Sequence, residues 1–332
     1  MAGKKALRSI RIGRETTAGT AVPALKYWRG TGTLEDTRET VFVEEDVGYL
    51  CPLDRAYTPR LGAAIALDST PATFEQLPYI LTCGVKQDTA GEVDGSGFIY
   101  TFTFPELASN TLDTLTIEGG DDQAAEEAAY MFCRSFALEG NAGEALMMSA
   151  EMVGRQVTAS AFTTTATIPT VEEILFGKGA VYLDAVTGTM GTTPVAATIK
   201  GVRLNVNTGI QTIWTISDEQ YFGSIDQGRS EISCDLTFAH NATAVTEIAN
   251  WRAETPRQLR LQWNGAALAT AGTTFTTKAL RVDLVGVWEK FSKIDEEDGL
   301  DIVTGTFRVV RDATAAKFAE IKICNLNSTM GI

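Results

Sequence analysis

A chain of 332 residues with 44% apolar side chains has the length of two average domains, each large enough to bury its own core without staples. Its 42 acidic residues against 28 basic ones leave a formal charge of -14, which opposes the phosphate grip of most nucleic-acid binders. No stretch approaches the roughly 20 uninterrupted apolar residues of a membrane-spanning helix, so no membrane insertion is expected. The basic start MAGKKALRSIRIG lacks the apolar core of a secretory signal, and the expected place of synthesis is a cytoplasm.

In chain order, IRIGRETTAGTAVPALKYWRG (10–30) is a short alternating run that enters a Thr/Gly loop, passes Pro23 and leaves as a new run behind Arg29-Gly30. In that run an inward Leu34 puts Glu35 on the opposite face. A long polar excursion follows, ETVFVEEDVGYLCPLDRAYTP (39–59), which carries the apolar residues Val41, Phe42, Val43, Tyr49 and Tyr57. From Arg60, RLGAAIALDSTPATFEQLPYI places Leu61, Ala63, Ile65 and Leu67 at every second position, a strand with one buried face. Phe74 and Leu77 then step by three, which fits a helix, and Pro78 is expected to kink or shorten it. GGDDQAAEEAA (119–129) is expected to form a short helical or solvated insertion. YMFCRSFALEGNAGEALMMSAEMVG (130–154) reads as an antiparallel hairpin on a Gly-containing acidic turn, with Met152 inward and Glu151 outward. The Thr-rich TASAFTTTATIPT (158–170) reads as a boundary.

The phrase then restarts 171 residues on. VYLDAVTGTMGTTPVAATIKG (181–201) has the length and punctuation of residues 10–30, with Pro194 for Pro23 and Lys200-Gly201 for Arg29-Gly30. A second polar excursion, IQTIWTISDEQYFGSIDQG (210–228), carries Trp214, Tyr221 and Phe222. EISCDLTFAHNATAVTEIANW from Glu231 alternates through Ile232, Cys234, Leu236 and Phe238, then steps by three from Val245 to Ile248, as the first copy does. An inward Leu236 leaves Asp235 outward. ALRVDLVGVWEKFSKIDEEDGLDIVTGTFRVV closes the half with further hairpins. This order predicts a tandem duplication. The expected fold is mainly β with minor α: two tandem modules, 1–170 and 171–332, each a two-sheet β-sandwich with a flanking helix.

No chemistry emerges from the motifs. The single histidine, His240, has Ser69 as its counterpart and reads as a surface or helix-capping residue. There is no G-x-S-x-G elbow and no phosphate-binding glycine motif. IDEEDGLD (294–301) fails the EF-hand pattern because Ile294 would stand at its first ligand position, and it reads as a solvated turn. The five cysteines lie far apart, without zinc spacing, and are expected to be buried free thiols. No catalytic residue, cofactor or metal site is assigned, and the expectation is a protein that assembles or binds, not an enzyme.

Three segments carry a family resemblance: GRETTAGTAVPALKYWRG, SFALEGNAGEALMMSAEMVGRQVT, and the stretch from WRAETPRQLRLQWNG to GTFRVV. The chain resembles the tail tube, or major tail, proteins of long-tailed, non-contractile bacteriophages. The resemblance implies a structural virion protein, with one sheet of each module joining a continuous barrel around a channel for DNA. Six single modules usually make a ring, so two modules per chain imply a homotrimeric, pseudo-hexameric ring. The resemblance also implies stacking of rings through the loop that corresponds here to residues 39–59 and 210–228. Val41, Phe42, Val43, Tyr49, Tyr57, Trp214, Tyr221 and Phe222 are the expected interface residues, against the plainer reading of local core under a long loop. Glu35, Glu151 and Asp235 are candidate lumen acids, against the plainer reading of an outer solubilising surface. Further expected partners are the tape measure, tail tip and terminator proteins, with DNA passing through without tight binding and the virion tail as destination. The alternative is a tandem β-sandwich binding module, for carbohydrate, which requires an aromatic platform.

Overall fold

Where apolar and polar residues alternate, the backbone is strand, because a pleated segment with one buried face needs period two. The computed structural model describes residues 3–51, 53–88, 90–196 and 198–332. Its first half runs β1 (Ser9–Arg14), β2 (Lys26–Tyr27), β3 (Gly32–Asp36), β4 (Glu39–Glu44), β5 (Leu53–Arg60), β6 (Ala63–Pro71), α1 (Leu77–Gly84), β7 (Glu92–Asp94), β8 (Gly97–Thr103), β9 (Leu115–Gly120), β10 (Ala125–Asn141), β11 (Met147–Gly154) and β12 (Val157–Ser160). The second half runs β13 (Gly179–Ala185), β14 (Ile199–Asn207), β15 (Ile210–Ile213), β16 (Ser224–Gln227), β17 (Glu231–Ala239), α2 (Ala242–Arg252), β18 (Arg257–Ala267), β19 (Thr277–Phe291), β20 (Asp295–Glu297), β21 (Leu300–Val309) and β22 (Ala319–Asn325). The protein is mainly β with minor α.

Two long strands organise the layers. The N-terminal part of β10 pairs with β9 and β12, and its C-terminal part pairs with β11. The N-terminal part of β19 pairs with β18 and β22, and its C-terminal part pairs with β21. Around β10 the layers are therefore β3-β6-β11-β10 and β2-β1-β9-β10-β12. Around β19 they are β14-β17-β21-β19 and β13-β18-β19-β22. The same order of pairing occurs twice. One irregularity also recurs: the β10–β11 ladder shifts register between Cys133 and Ser135, and the β19–β21 ladder between Trp288 and Lys290. Helix α1 packs on β10 and α2 on β19.

The halves are joined edge to edge. The C-terminal part of β10 pairs antiparallel with β14, from Ser135 opposite Asn207 to Asn141 opposite Gly201. This makes one eight-stranded sheet, β3-β6-β11-β10-β14-β17-β21-β19. One face covers the core through Leu34, Ile65, Phe136, Leu138, Met152, Leu204, Leu236 and Phe307, all buried. On the other layer, β8 of the first half pairs with β22 of the second, from Phe98 opposite Asn325 to Thr103 opposite Glu320. The Asp94 carboxylate at the end of β7 accepts the backbone N–H groups of Thr273, Thr274 and Phe275. Residues 92–103 thus cross the division at 170/171 and extend a sheet of the second half.

Four local expectations change. Pro78 lies in the first turn of α1, where its missing N–H is one of the helix's unpaired donors anyway, so it starts the helix and does not kink it. Residues 119–129 hold no helix. The Asp121 carboxylate accepts the N–H groups of Gln123 and Ala124 and turns the chain from β9 into β10. Cys51 is exposed, because it sits in the first excursion, while Cys83, Cys133, Cys234 and Cys324 are buried free thiols. Burial pushes the Cys83 thiol up to about 12, outside the range of a reactive thiolate. The cap of α2 is Asn241, which accepts from the N–H groups of Thr243 and Ala244, and His240 stands one residue before it. In IDEEDGLD, Asp298 (φ 54°) and Gly299 (φ 74°) are successive left-handed residues, which makes a tight two-residue hairpin turn between β20 and β21.

Candidate assembly surfaces

The outward face of the eight-stranded sheet carries every second residue of its strands. Glu35, Glu151 and Asp235 all lie on it, because Leu34, Met152 and Leu236 beside them are buried on the core side. A shallow hollow at the centre of this face, across the β10–β14 joint, is lined outward by Ala66, Asp68, Ser135, Ala137, Ser149, Glu151, Asn205, Asn207, Glu231, Ser233 and Arg308. Apart from Arg308 its outward side chains are small, polar or acidic, and none of them is aromatic. Two of the basic groups on the face are matched locally, Arg308 at 3.7 Å from Glu231 and Arg203 at 3.9 Å from Glu139 across the joint, while Lys290 at the sheet's end is unpaired among the described residues. Glu151 accepts a hydrogen bond from Ser135 at 3.1 Å, and Asp235 accepts one from Thr306 at 2.6 Å. Neither they nor Glu35 has a basic partner among the described residues, so acid predominates on this face.

The excursions are both hairpins, and they differ in how they are covered. β15 and β16 pair with each other and lie against the first half. Phe222, from the loop between them, is 1% exposed and packs edge-on against Tyr130 at 5.2 Å and Phe132 at 6.0 Å, with Ile210 closing a satellite core. Arg155 fastens the loop. Its guanidinium donates to the carbonyls of Phe222 (3.1 Å) and Gly223 (2.5 Å) and stacks over Tyr130 (4.2 Å) and Tyr221 (5.0 Å). Burial, then the hydrogen bond to Glu219, pushes the Tyr221 hydroxyl above its ordinary value. Phe222 is therefore a residue of the chain's own core, and Tyr221 is held beneath Arg155. Trp214 remains 43% exposed, with Arg60 over its ring at 4.5 Å.

β4 and β5 form the first hairpin, with Val41 opposite Tyr57 and Phe42 opposite Ala56. Its base touches the second excursion, where Leu61 donates to the Gln220 carbonyl and the Gln220 amide donates to the Thr58 carbonyl, both at 2.8 Å. Beyond that base it stands uncovered. Phe42 is 62% exposed, Tyr57 55% and Tyr49 72%, while Val41 and Val43 are half-buried on the other face of β4. Val41 and Tyr57 share one face of the hairpin and Phe42 lies on the other, so large apolar side chains are exposed on both of its faces.

Two further surfaces escaped the sequence reading. Among the described residues, β3 pairs only with β6, and β19 beyond Gly286 pairs only with β21. These are the terminal edges of the eight-stranded sheet, and they present unpaired backbone groups. Glu35 and Asp36 lie along one edge, Lys290 and Lys293 along the other. The Arg38 guanidinium bonded to the Asp36 carboxylate holds that carboxyl below the usual range. The charges were visible in the sequence; that both segments are edges was not.

No protein-family model matches the chain, and no curated protein matches it in sequence.

Proposed function

We propose that this protein is a structural subunit that polymerises through its eight-stranded sheet into closed rings, stacked as the tube of a phage tail. The observation that carries the proposal is the sheet itself: it is continuous across both halves, open at both ends, and polar on the face away from the core. A sheet with two open edges is a template for another chain unless it is blunted or paired. A contact between two different edges is heterologous, and such contacts close into rings when the rotation allows. The recurring pairing order supports a tandem duplication in which each half supplies four strands, so that three chains make a wall of pseudo-sixfold symmetry.

On this reading the outward sheet face lines the channel. Glu35, Glu151 and Asp235 repel the phosphates of passing DNA and keep it hydrated, so the wall conducts without binding. The exposed side chains of the first hairpin, Phe42, Tyr49 and Tyr57, make contacts between copies. The protein then has no turnover, its partners are further copies of itself and the other tail components, and its destination is the virion tail. A sugar-binding sandwich is less well supported, because the hollow on the sheet has no outward aromatic side chain on which a pyranose could stack. Sedimentation of the purified protein over a concentration series tests the proposal: rings or tubes are expected, and a monomer at every concentration overturns it.

A further inference from the structure

Closing the eight-stranded sheet needs two kinds of joint, one inside the chain and one between copies. The first is β10–β14. We infer that the second pairs β3 of one copy with the Lys290–Lys293 edge of another copy in the β10–β14 register, with the polarity of charge across the joint reversed. The inference rests on the ring reading and specifies its contact residue by residue.

Register follows from two rows of directly opposed core residues. One runs Cys133, Met152, Ile65, Leu34 across β10, β11, β6 and β3. The other runs Trp288, Phe307, Cys234, Leu204 across β19, β21, β17 and β14. Both start at the residue just before the register shift, so Cys133 corresponds to Trp288, Ser135 to Lys290, and Leu34 to Leu204. In the internal joint Ala137 faces Asn205 and Ser135 faces Asn207. Carried over, Ser292 faces Glu35 and Lys290 faces Thr37 of the neighbouring copy. The edge is free to accept them. The Trp251 indole occupies the Glu289 carbonyl, and the open stretch begins at the next residue. Ser292 still bonds to Thr304, which keeps it aligned with β21.

Charge then decides which edge meets which. In this register Lys290 lies diagonally between Glu35 and Glu39, within reach across a sheet face. All three are exposed and have no ion-pair partner within the chain among the described residues. In the internal joint the acid, Glu139, is on the β10 side and the base, Arg203, is on the β14 side. In the joint between copies the base, Lys290, is on the β19 side and the acids, Glu35 and Glu39, are on the β3 side. Exchange of edges is therefore disfavoured: β3 against β10 would set Glu35 diagonal to Glu139, and β14 against β19 would set Lys290 opposite Asn207 with no acid diagonal to it. Reversed polarity makes the internal and external joints alternate around the wall, a use of repulsion for specificity.

Paired cysteines test the register in a Cys51→Ser background, where the remaining thiols are buried. E35C/S292C is expected to give covalent dimers and trimers on a non-reducing gel, while A137C/N205C reports the same geometry inside one chain. T33C/S292C and T37C/S292C, each displaced by two residues, are expected to crosslink at least tenfold more slowly. Charge is tested separately: K290E and E35K/E39K are each expected to lose assembly with an unchanged urea midpoint, and the three substitutions together to regain it. Rings that crosslink only in a displaced register, or that ignore the charge reversals, overturn this joint and leave ring formation standing. Chains that remain monomeric in the wild-type background overturn both.

Discussion

Replacing Phe222 with Ala separates core from contact surface most sharply, because its excursion holds both kinds of aromatic residue. The ring is almost wholly buried, edge-on to Tyr130 and Phe132 and 6.3 Å from Trp214. Truncating a buried Phe to Ala costs about 3–5 kcal/mol, from lost transfer energy and the cavity left behind. The satellite core is small and lies under a loop, so partial collapse of the cavity should bring the cost to the lower end, about 3 kcal/mol. With a urea m-value of about 3 kcal/mol/M, the upper end for small proteins, the unfolding midpoint should fall by about 1 M. Loss of the packing under Arg155 should also open residues 214–223 to limited proteolysis before global unfolding. The measurement is a urea titration of the monomer by tryptophan fluorescence, alongside a protease time course. A midpoint within 0.2 M of wild type, roughly 0.6 kcal/mol on the same m-value, combined with lost assembly, would refute the reasoning and make Phe222 a contact residue.

Phe42→Ser and Tyr49→Ser should each move the monomer's stability by less than about 0.5 kcal/mol, because neither side chain is buried; sedimentation should nevertheless show impaired assembly. Glu247→Ala should destabilise by about 3–5 kcal/mol, since this buried carboxylate pairs with Arg257 at 2.8 Å and accepts from the Trp288 indole at 2.8 Å; thermal or urea unfolding measures it. Burial raises the Asp184 carboxyl, but hydrogen bonds from Thr193, Thr192 and Gly191 outweigh it and hold the group below its ordinary value. Its contribution to stability is thus fully present above about pH 4 and lost as pH falls through the lower folded value, so Asp184→Asn should flatten the acid limb of a stability-against-pH curve. Changing Glu35, Glu151 and Asp235 together to Lys should slow genome ejection most at low ionic strength, where screening is weakest; an ejection rate equal to wild type would count against a lumenal face.

Much of the strand pattern was legible because one face of each strand is buried, and burial writes itself into alternation. Leu34, Ile65, Met152 and Leu236 were readable as inward for that reason, and Glu35, Glu151 and Asp235 as outward. Pro78 misled because the rule against proline in helices lapses in the first turn, and the helix start could not be located to a residue. The stretch 119–129 misled because Ala and Glu favour helix, while an Asp121 turn and pairing of β10 with β9 and β12 override local propensity. Phe222 and Phe42 look alike in sequence, each an aromatic residue in a polar excursion. Only tertiary placement, with Arg155 arriving from 67 residues away, makes one core and leaves the other bare. Edges were the least legible feature, since whether a strand has one neighbour or two is settled by residues remote in the chain.

Cryo-electron microscopy of the assembled protein tests the central claim most directly, that the eight-stranded sheet is the repeating wall of a ring. The account predicts three chains per ring, pseudo-sixfold symmetry, β3 hydrogen-bonded to the Lys290–Lys293 edge of the next copy, and Glu35, Glu151 and Asp235 on the lumen. Six chains per ring, a wall built from the β9-β10-β12 layer, or a sheet whose terminal edges stay unpaired in the assembly would contradict it.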